Sequence, residues 1–449
     1  MSALYLLLVV VAAVALLLFL VIRLQMHAFV ALLIISFATA LAAGVPPGDI
    51  VGVVEDGMGG TLGFIAVVVG LGAMFGEMLR ITGGAEQIAR TLVRGFGEGR
   101  IQWALGLTGF LVAIPVFFDV GLIILIPLVY SLAQRAGRSL LYYAIPLIAG
   151  LAVTHSFIPP TPGPVAVAGI IGADLGWVIL FGIISGIPAV ILGGIIFGKY
   201  IAGKIDIGVP EYMLRELSEN AEEERETPSF GLTVAVVLVP LVLILINTVS
   251  GVVLAEDGQL AGILAFVGHP FSALTLAVLL AFYVLGTRHG YSRDEVQNVA
   301  TRALEPVGLI ILVTGAGGVF GEVLVQSGIG DALASVMEAS NLPIILLAFA
   351  AATLVRVALG SATVAAVTAA SIIAPALGAA DYSAPLLGAI VIAIASGATV
   401  LSHVNDSGFW LVSRYLGMDE KQTLQSWTVM ETIIGLTGFS VVLVASFFL

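Results

Sequence analysis

QWALGLTGFLVAIPVFFDVGLIILIPLVYSLAQ, residues 102–134, is apolar enough to enter a lipid bilayer but the wrong length to cross one simply. As a helix it runs about 50 Å, too long for one crossing of a ~30 Å hydrocarbon core and too short for two. It also breaks near its middle, between Pro115 and Gly121. A re-entrant hairpin, entering and leaving on one face, fits that length. Residues 342–378 pose the same problem and break at Gly360-Ser361.

Around these two stretches lie apolar runs of ordinary spanning length at 3–22, 28–45, 58–80, 177–201, 230–254, 260–286, 305–327 and 427–449. Longer interrupted runs lie at 139–174 and 384–416. Residues 3–22 lack the basic flank and small-residue cleavage site of a signal peptide, and a second apolar run follows at once, so they read as the first span. Lysines and arginines test the scheme, because cytoplasmic loops carry their excess. If both long stretches are hairpins, 16 of the 17 basic residues fall on one side: Arg23, Arg80, Arg90, Arg94, Arg100, Arg135, Arg138, Lys199, Lys204, Arg215, Arg225, Arg288, Arg293, Arg302, Arg414 and Lys421. The other side holds only acids, Asp49, Glu55, Asp56, Asp174, Glu256, Asp257, Asp331, Glu338 and Asp381. Had 102–134 crossed, Arg100 and Arg135 would sit on opposite faces. The scheme has ten crossings, two hairpins and both termini outside.

The composition agrees. Of 449 residues 59% are hydrophobic and 10% charged, and the mean hydropathy is +1.14, which leaves too little polar surface to cover a soluble fold. The absence of cysteine excludes disulfides, cysteine metal sites and thiol nucleophiles. A net charge of -12 argues against nucleic acid as a partner. No Walker A pattern is present, so ATP does not drive the protein directly.

Residues 70–89, GLGAMFGEMLRITGGAEQIA, placed over 315–334, GAGGVFGEVLVQSGIGDALA, match at Gly70/Gly315, Gly72/Gly317, Phe75/Phe320, Gly76/Gly321, Glu77/Glu322, Leu79/Leu324, Gly83/Gly328 and Ala89/Ala334. The remaining elements recur in the same order: three helices, a hairpin, an interrupted helix, a helix. Each half crosses five times, an odd number, so the second copy is upside down. The expected fold is an all-α polytopic membrane protein of two inverted-topology repeats, 1–202 and 230–449. An acidic cytoplasmic linker, 203–229, joins them. Inverted repeats whose broken helices meet near the midplane are typical of secondary transporters.

Non-helical backbone at membrane depth lines a cavity or is buried in protein. Four segments qualify: IPVFFDVG (114–121), THSFIPPTPGP (154–164), VRVALGSATVA (355–365) and SHVNDSGFW (402–410). Ionisable groups within spanning segments are costly, so Asp119, His155, Arg356, His403 and Asp406 are functional candidates. Arg356 either pairs with a buried acid or binds a substrate carboxylate beside the positive ends of half-helices, and the second is favoured. Asp119 and Asp406 are structural acceptors or carry a coupling proton. His155 and His403, in the equivalent pairs Thr154-His155 and Ser402-His403, are core histidines or titrating groups, His403 for proton coupling and His155 for substrate. Gly360, Ser361, Thr363, Asn405, Ser407 and Thr161 complete the candidate substrate site as neutral ligands for a polyhydroxylated molecule. Glu77 and Glu322 read as helix-packing or capping groups.

At GAGGVFGEVL, FFDVG, IPPTPGP, GSATVA and HVNDSGFW the sequence resembles the gluconate permease family of proton symporters, within the larger superfamily of ion transporters built from inverted hairpin repeats. The likeness covers nearly the full chain. It implies uptake of gluconate or a related sugar acid with a proton across the cytoplasmic membrane, with no cofactor and with a homodimer as an open expectation. Other members carry small hydroxylated or amino acids, D-serine and fructuronate among them. The chain departs from the family at Thr161, where the PPHPGP form of the motif has His, which bears on the proton step and on substrate choice. Sodium coupling is an alternative, since hairpin carbonyls and Ser and Asn side chains also suit Na⁺. An intramembrane enzyme with His155, His403 and Asp406 around a metal is a further one, without an HExxH helix to support it. A passive channel is the last.

Overall fold

The computed structural model describes residues 3–210, 227–254, 258–329, 342–378, 381–404 and 406–449. Most of the acidic linker, and with it Arg215 and Arg225, lies outside the described residues, as does Asn405. The described chain is helical throughout, and nine of its helical stretches are long and apolar enough to span a bilayer. The protein is a multi-pass membrane protein.

The first half runs α1 (Ala3–Leu18), α2 (Ala28–Ala42), α3 (Ile50–Ile81), α4 (Gly84–Phe96), α5 (Ile101–Val112), α6 (Phe118–Ala136), α7 (Leu141–Phe157), α8 (Pro162–Ile171), α9 (Leu175–Ala189) and α10 (Phe197–Ala202). The second runs α11 (Phe230–Val253), α12 (Gln259–Gly268), α13 (Pro270–Ala281), α14 (Arg293–Ala303), α15 (Val307–Gln326), α16 (Ile344–Leu359), α17 (Ala362–Gly378), α18 (Ala384–Thr399), α19 (Ser407–Leu416), α20 (Glu420–Thr423) and α21 (Val429–Ser446). A π-helical stretch, Val190–Ile196, joins α9 to α10, and another, Leu424–Thr428, joins α20 to α21.

The two long stretches are each a pair of helices, α5 with α6 and α16 with α17. The first break falls at 113–117, slightly before the span Pro115 to Gly121 that the sequence suggested, and leaves Asp119 in the first turn of α6. The second turns on Gly360, whose φ of 80° is left-handed and would strain any residue with a Cβ. The interrupted runs break as well, between α7 and α8 and between α18 and α19.

Two features depart from the expected runs. Residues 84–96 form an amphipathic helix, α4, which buries Ala85, Ile88 and Ala89 and leaves Arg90 exposed; a search for 20-residue apolar runs passes over so polar a segment. The run 260–286 is broken at His269, because Pro270 starts a new helix with no N–H of its own to give. His269 Nδ1 accepts the Phe271 amide at 3.3 Å, and His27 Nδ1 caps α2 by accepting the Phe29 amide at 3.3 Å.

Apolar side chains such as Val253, Phe266, Leu279 and Leu354 stay exposed on the outside, as a lipid-facing surface requires. Within lipid, helices gain little by hiding such groups from one another, so association depends on close van der Waals packing. Small residues supply it where α5 crosses α7. A Cβ built on Gly150 would lie 2.7 Å from the Phe110 nitrogen and 3.1 Å from the Gly109 carbonyl carbon, both backbone atoms that cannot rotate away. Thr154 Oγ1 donates to the Phe110 carbonyl at 3.0 Å across the same crossing. This contact fixes the hairpin tip after α5 against the break after α7. Gly150→Val is expected to cost about 1–3 kcal/mol by overpacking, read as a lower unfolding temperature of the detergent-purified protein.

Candidate functional site

In the first half, α6 begins at Phe118 after an extended Phe117, so the exposed Asp119 carboxylate sits at a helix N-terminus, where free amides favour an anion. Its electrostatic neighbour is His155, near the C-terminal end of α7. The Phe117 ring meets the His155 ring edge-on with centroids 6.2 Å apart, and His155 Nδ1 is buried with no hydrogen-bond partner among the described residues. Thr161, the N-cap of α8, is buried and turns its hydroxyl back to the Ile158 carbonyl at 2.6 Å. The Thr161 hydroxyl is thus committed to its own loop.

In the second half, Arg356 lies in the last turn of α16 and is 2% exposed. Its Nη2 donates to Asp406 Oδ2 at 2.5 Å. The same oxygen accepts from Ser402 Oγ at 2.5 Å, and Asp406 Oδ1 accepts the Gly408 amide at 3.0 Å as the N-cap of α19. Ser402 Oγ in turn accepts from Trp427 Nε1 at 2.7 Å. His403 Nε2 lies 3.0 Å from the Val357 carbonyl, a second tie between the broken helix and the hairpin leg. Thr428 Oγ1 donates to the Ser402 carbonyl, and the Leu401 amide donates to Thr432 Oγ1 at 3.3 Å. The helical segment entering α21 thus holds the chain at Leu401 and Ser402. Leu401 itself has φ 56°, a left-handed value that costs a branched side chain of order 1–3 kcal/mol; these bonds hold it there.

In the second half the Arg356–Asp406 pair ties the hairpin to the broken helix, whereas in the first half Asp119 is a charged neighbour of His155 without a bond to it among the described residues. The halves also meet. Phe118 packs on Trp427 with ring centroids 5.3 Å apart, and Tyr130 of α6 donates to the Tyr415 carbonyl of α19. On the other side α8 packs on α17, and His155, Ser156 and Gly163 share a cavity of about 20 Å³ with Thr363 of the second hairpin. That is room for a water and far less than a sugar acid needs. A larger cavity of about 390 Å³ is lined among others by Gly76, Arg80, Phe117 and Arg302.

Of the sequence candidates, the structure brings Arg356, Asp406 and His403 into one network and His155 and Thr363 into one cavity. Gly360 forms the hairpin turn, while Ser361 and Ser407 are exposed at helix starts. Among the described residues no three His, Asp or Glu side chains are placed to hold a metal.

One residue escaped the sequence reading. Glu431, in the first turn of α21, is 4% exposed and its Oε1 has no hydrogen-bond partner among the described residues. The charged groups that act on it are Arg356 and Asp406. The signal was present, an acid inside the apolar run 427–449, but that run contains no break to draw attention to it.

Residues 5–448 match the family described as GntP family permease. The chain is 42% identical over 445 residues to the low-affinity gluconate transporter of Escherichia coli K12, covering 99% of each chain. It is 40% identical to the gluconate permease of Pseudomonas aeruginosa, covering 98% of each. Among solved structures, the YdaH transporter of Alcanivorax borkumensis shares the fold with a TM-score of 0.65 at 16% identity, over 94% of this chain and 99% of that one.

Proposed function

The chain belongs to the GntP family of permeases and is a membrane transporter rather than an enzyme; from that premise we propose that it takes up gluconate or a related sugar acid by proton symport. The observation that carries the reading is the buried Arg356, whose Nε and Nη1 have no partner among the described residues while Nη2 is held by Asp406. An isolated buried cation is costly, so Asp406 supplies the counter-charge of Arg356 and leaves two of its nitrogens as donors for a substrate carboxylate. Thr363, Ser407, Asn405, the Gly360-Ser361 turn, His155 and the Thr161 loop supply the neighbouring polar groups. Protonation of a carboxyl beside the bound anion couples transport to the gradient, while Asp406, with both oxygens held by donors, and His403, placed on the Val357 carbonyl, hold the Arg356 site in shape. One monoanion with one proton moves no net charge, so two protons are needed if the membrane potential is to help.

The inverted two-repeat construction is part of this reading, with 1–202 and 230–449 as the repeats and both termini outside the cytoplasmic membrane. Two pairs of contacts support it. Gly57 of α3 packs on Gly318 of α15, and under the offset of 245 residues between the repeated motifs that pair becomes Arg302 and Ala73, which line one cavity. The histidine-capped helix starts at His27 and His269 are likewise one per half.

Purified protein in proteoliposomes is expected to accumulate labelled gluconate under an inward proton gradient, unchanged when choline replaces sodium. Loss of accumulation in choline would transfer the coupling to sodium. No uptake of any sugar acid under either gradient would sink the reading.

A further inference from the structure

The segment that enters α21 presents Trp427, Thr428, Glu431 and Thr432 at helical spacings of one and four, and so on one face. Trp427, Thr428 and Thr432 all bond the 401–402 turn. Glu431 is on the same stretch, nine-tenths or more buried, with Oε1 unpartnered among the described residues; α16, which carries Arg356, packs on α21, and Arg356 and Asp406 are the charged groups that act on Glu431. Asp406 differs in kind. Both of its oxygens are occupied by donors, one of them a cation. A buried carboxyl with an unpartnered oxygen lacks that compensation, and burying an unpaired carboxylate costs several kcal/mol or is avoided by protonation.

We infer that Glu431 is the group that takes up the co-transported proton, an inference that rests on the proton-symport reading. With Glu431 neutral, Arg356 and Asp406 balance and the site is uncharged. A substrate monoanion docking on the free donors of Arg356 brings the site to -1, whereas with Glu431 ionised the same step would bring it to -2. Substrate therefore binds the protonated site more tightly, and by linkage the proton binds more tightly when substrate is present. The step is a plain proton transfer: an O–H bond forms on the Glu431 carboxylate, water on the entry side gives up the proton, and the reverse occurs on release.

No other titratable group on the packed elements competes for this role. Helices α9 and α18 and the 190–196 stretch contribute none to the α21 interface. Helix α7 carries Tyr142 and Tyr143 at its start and His155 near its end, and His155 has Asp119 as its charged neighbour. Glu420 and Lys421 are exposed, roughly 15 Å along the helix from Glu431. Arg356 and Asp406 are the charges that remain.

The test is proton uptake on gluconate binding, followed with a pH indicator in weakly buffered detergent solution, beside gluconate affinity as a function of pH. Measured above the pH at which Glu431 loses its proton in the empty site, wild type is expected to take up about one proton per gluconate and to lose affinity about tenfold for each further pH unit. Glu431→Gln is expected to bind gluconate within a few-fold of the best wild-type affinity, with no proton uptake and no pH dependence. Proton uptake retained in Glu431→Gln overturns the assignment to Glu431. No proton uptake by wild type, with gluconate bound, overturns the symport reading instead. Failure of Glu431→Gln to fold also counts against the assignment, because Gln is the near-isostere of the neutral carboxyl that the resting site contains. Glu431→Asp then keeps the outcome readable: proton uptake retained there supports a carboxyl carrier at this position, and its loss in a folded protein overturns it.

Discussion

Arg356→Gln is expected to abolish gluconate binding and uptake. Gln keeps a hydrogen-bond donor near Asp406 but removes the cation, so an incoming carboxylate would meet the Asp406 carboxylate with nothing to offset it. At membrane depth like charges are screened very little. Arg356→Lys restores the charge as a point ammonium without the planar set of donors, and should recover binding only in part, about 10–100-fold weaker than wild type. Thermal shift with gluconate reads both, since a ligand that binds the native state raises its apparent stability. Gluconate affinity unchanged in Arg356→Gln would make Arg356 a structural partner of Asp406 and nothing more.

The second large effect is on stability. Asp406→Ala strips Arg356 of its counter-ion, removes the N-cap of α19 and leaves the Ser402 hydroxyl without its acceptor, all in one step. Breaking a buried ion pair from one side costs about 3–5 kcal/mol, because the other charge stays buried and uncompensated. The expected result is protein that fails to reach the membrane folded, or that unfolds at a much lower temperature in detergent. Asp406→Asn keeps the cap and the volume and should lose less. The double variant Arg356→Met with Asp406→Asn should regain stability while remaining inactive, which separates the structural half of the pair from the binding half. A fully stable Asp406→Ala would mean that the pair is not what holds the broken helix.

These variants draw on features legible in the sequence to different degrees. The length of 102–134 and 342–378 already demanded a break in each, and the family motifs were readable because they sit at those breaks. Arg356 and Asp406 stood out as ionisable residues in apolar runs. Their union did not, since 50 residues separate them and either could have been matched with another group. The alternative in which Arg356 meets a buried acid and the one in which it binds a carboxylate turn out to be compatible, because one nitrogen serves the first and leaves two for the second. Thr161 looked like a missing titrating group; in the fold its hydroxyl is committed to its own loop.

Glu431 marks the limit most clearly. Sequence periodicity says that Trp427, Thr428, Glu431 and Thr432 share a helix face, but not what that face meets. What the sequence determined by itself was which segments are apolar enough for a membrane and that the long ones must break, though α4 and the break at His269 escaped it. Those follow from hydropathy, proline and glycine, which act over a few residues. Only the tertiary structure decided which breaks meet, that the segment entering α21 closes over Leu401 and Ser402, and that a carboxyl in an unremarkable span is buried where an arginine 75 positions earlier acts on it. Burial and charge pairing are properties of neighbours in space, and the order of residues along the chain does not contain them.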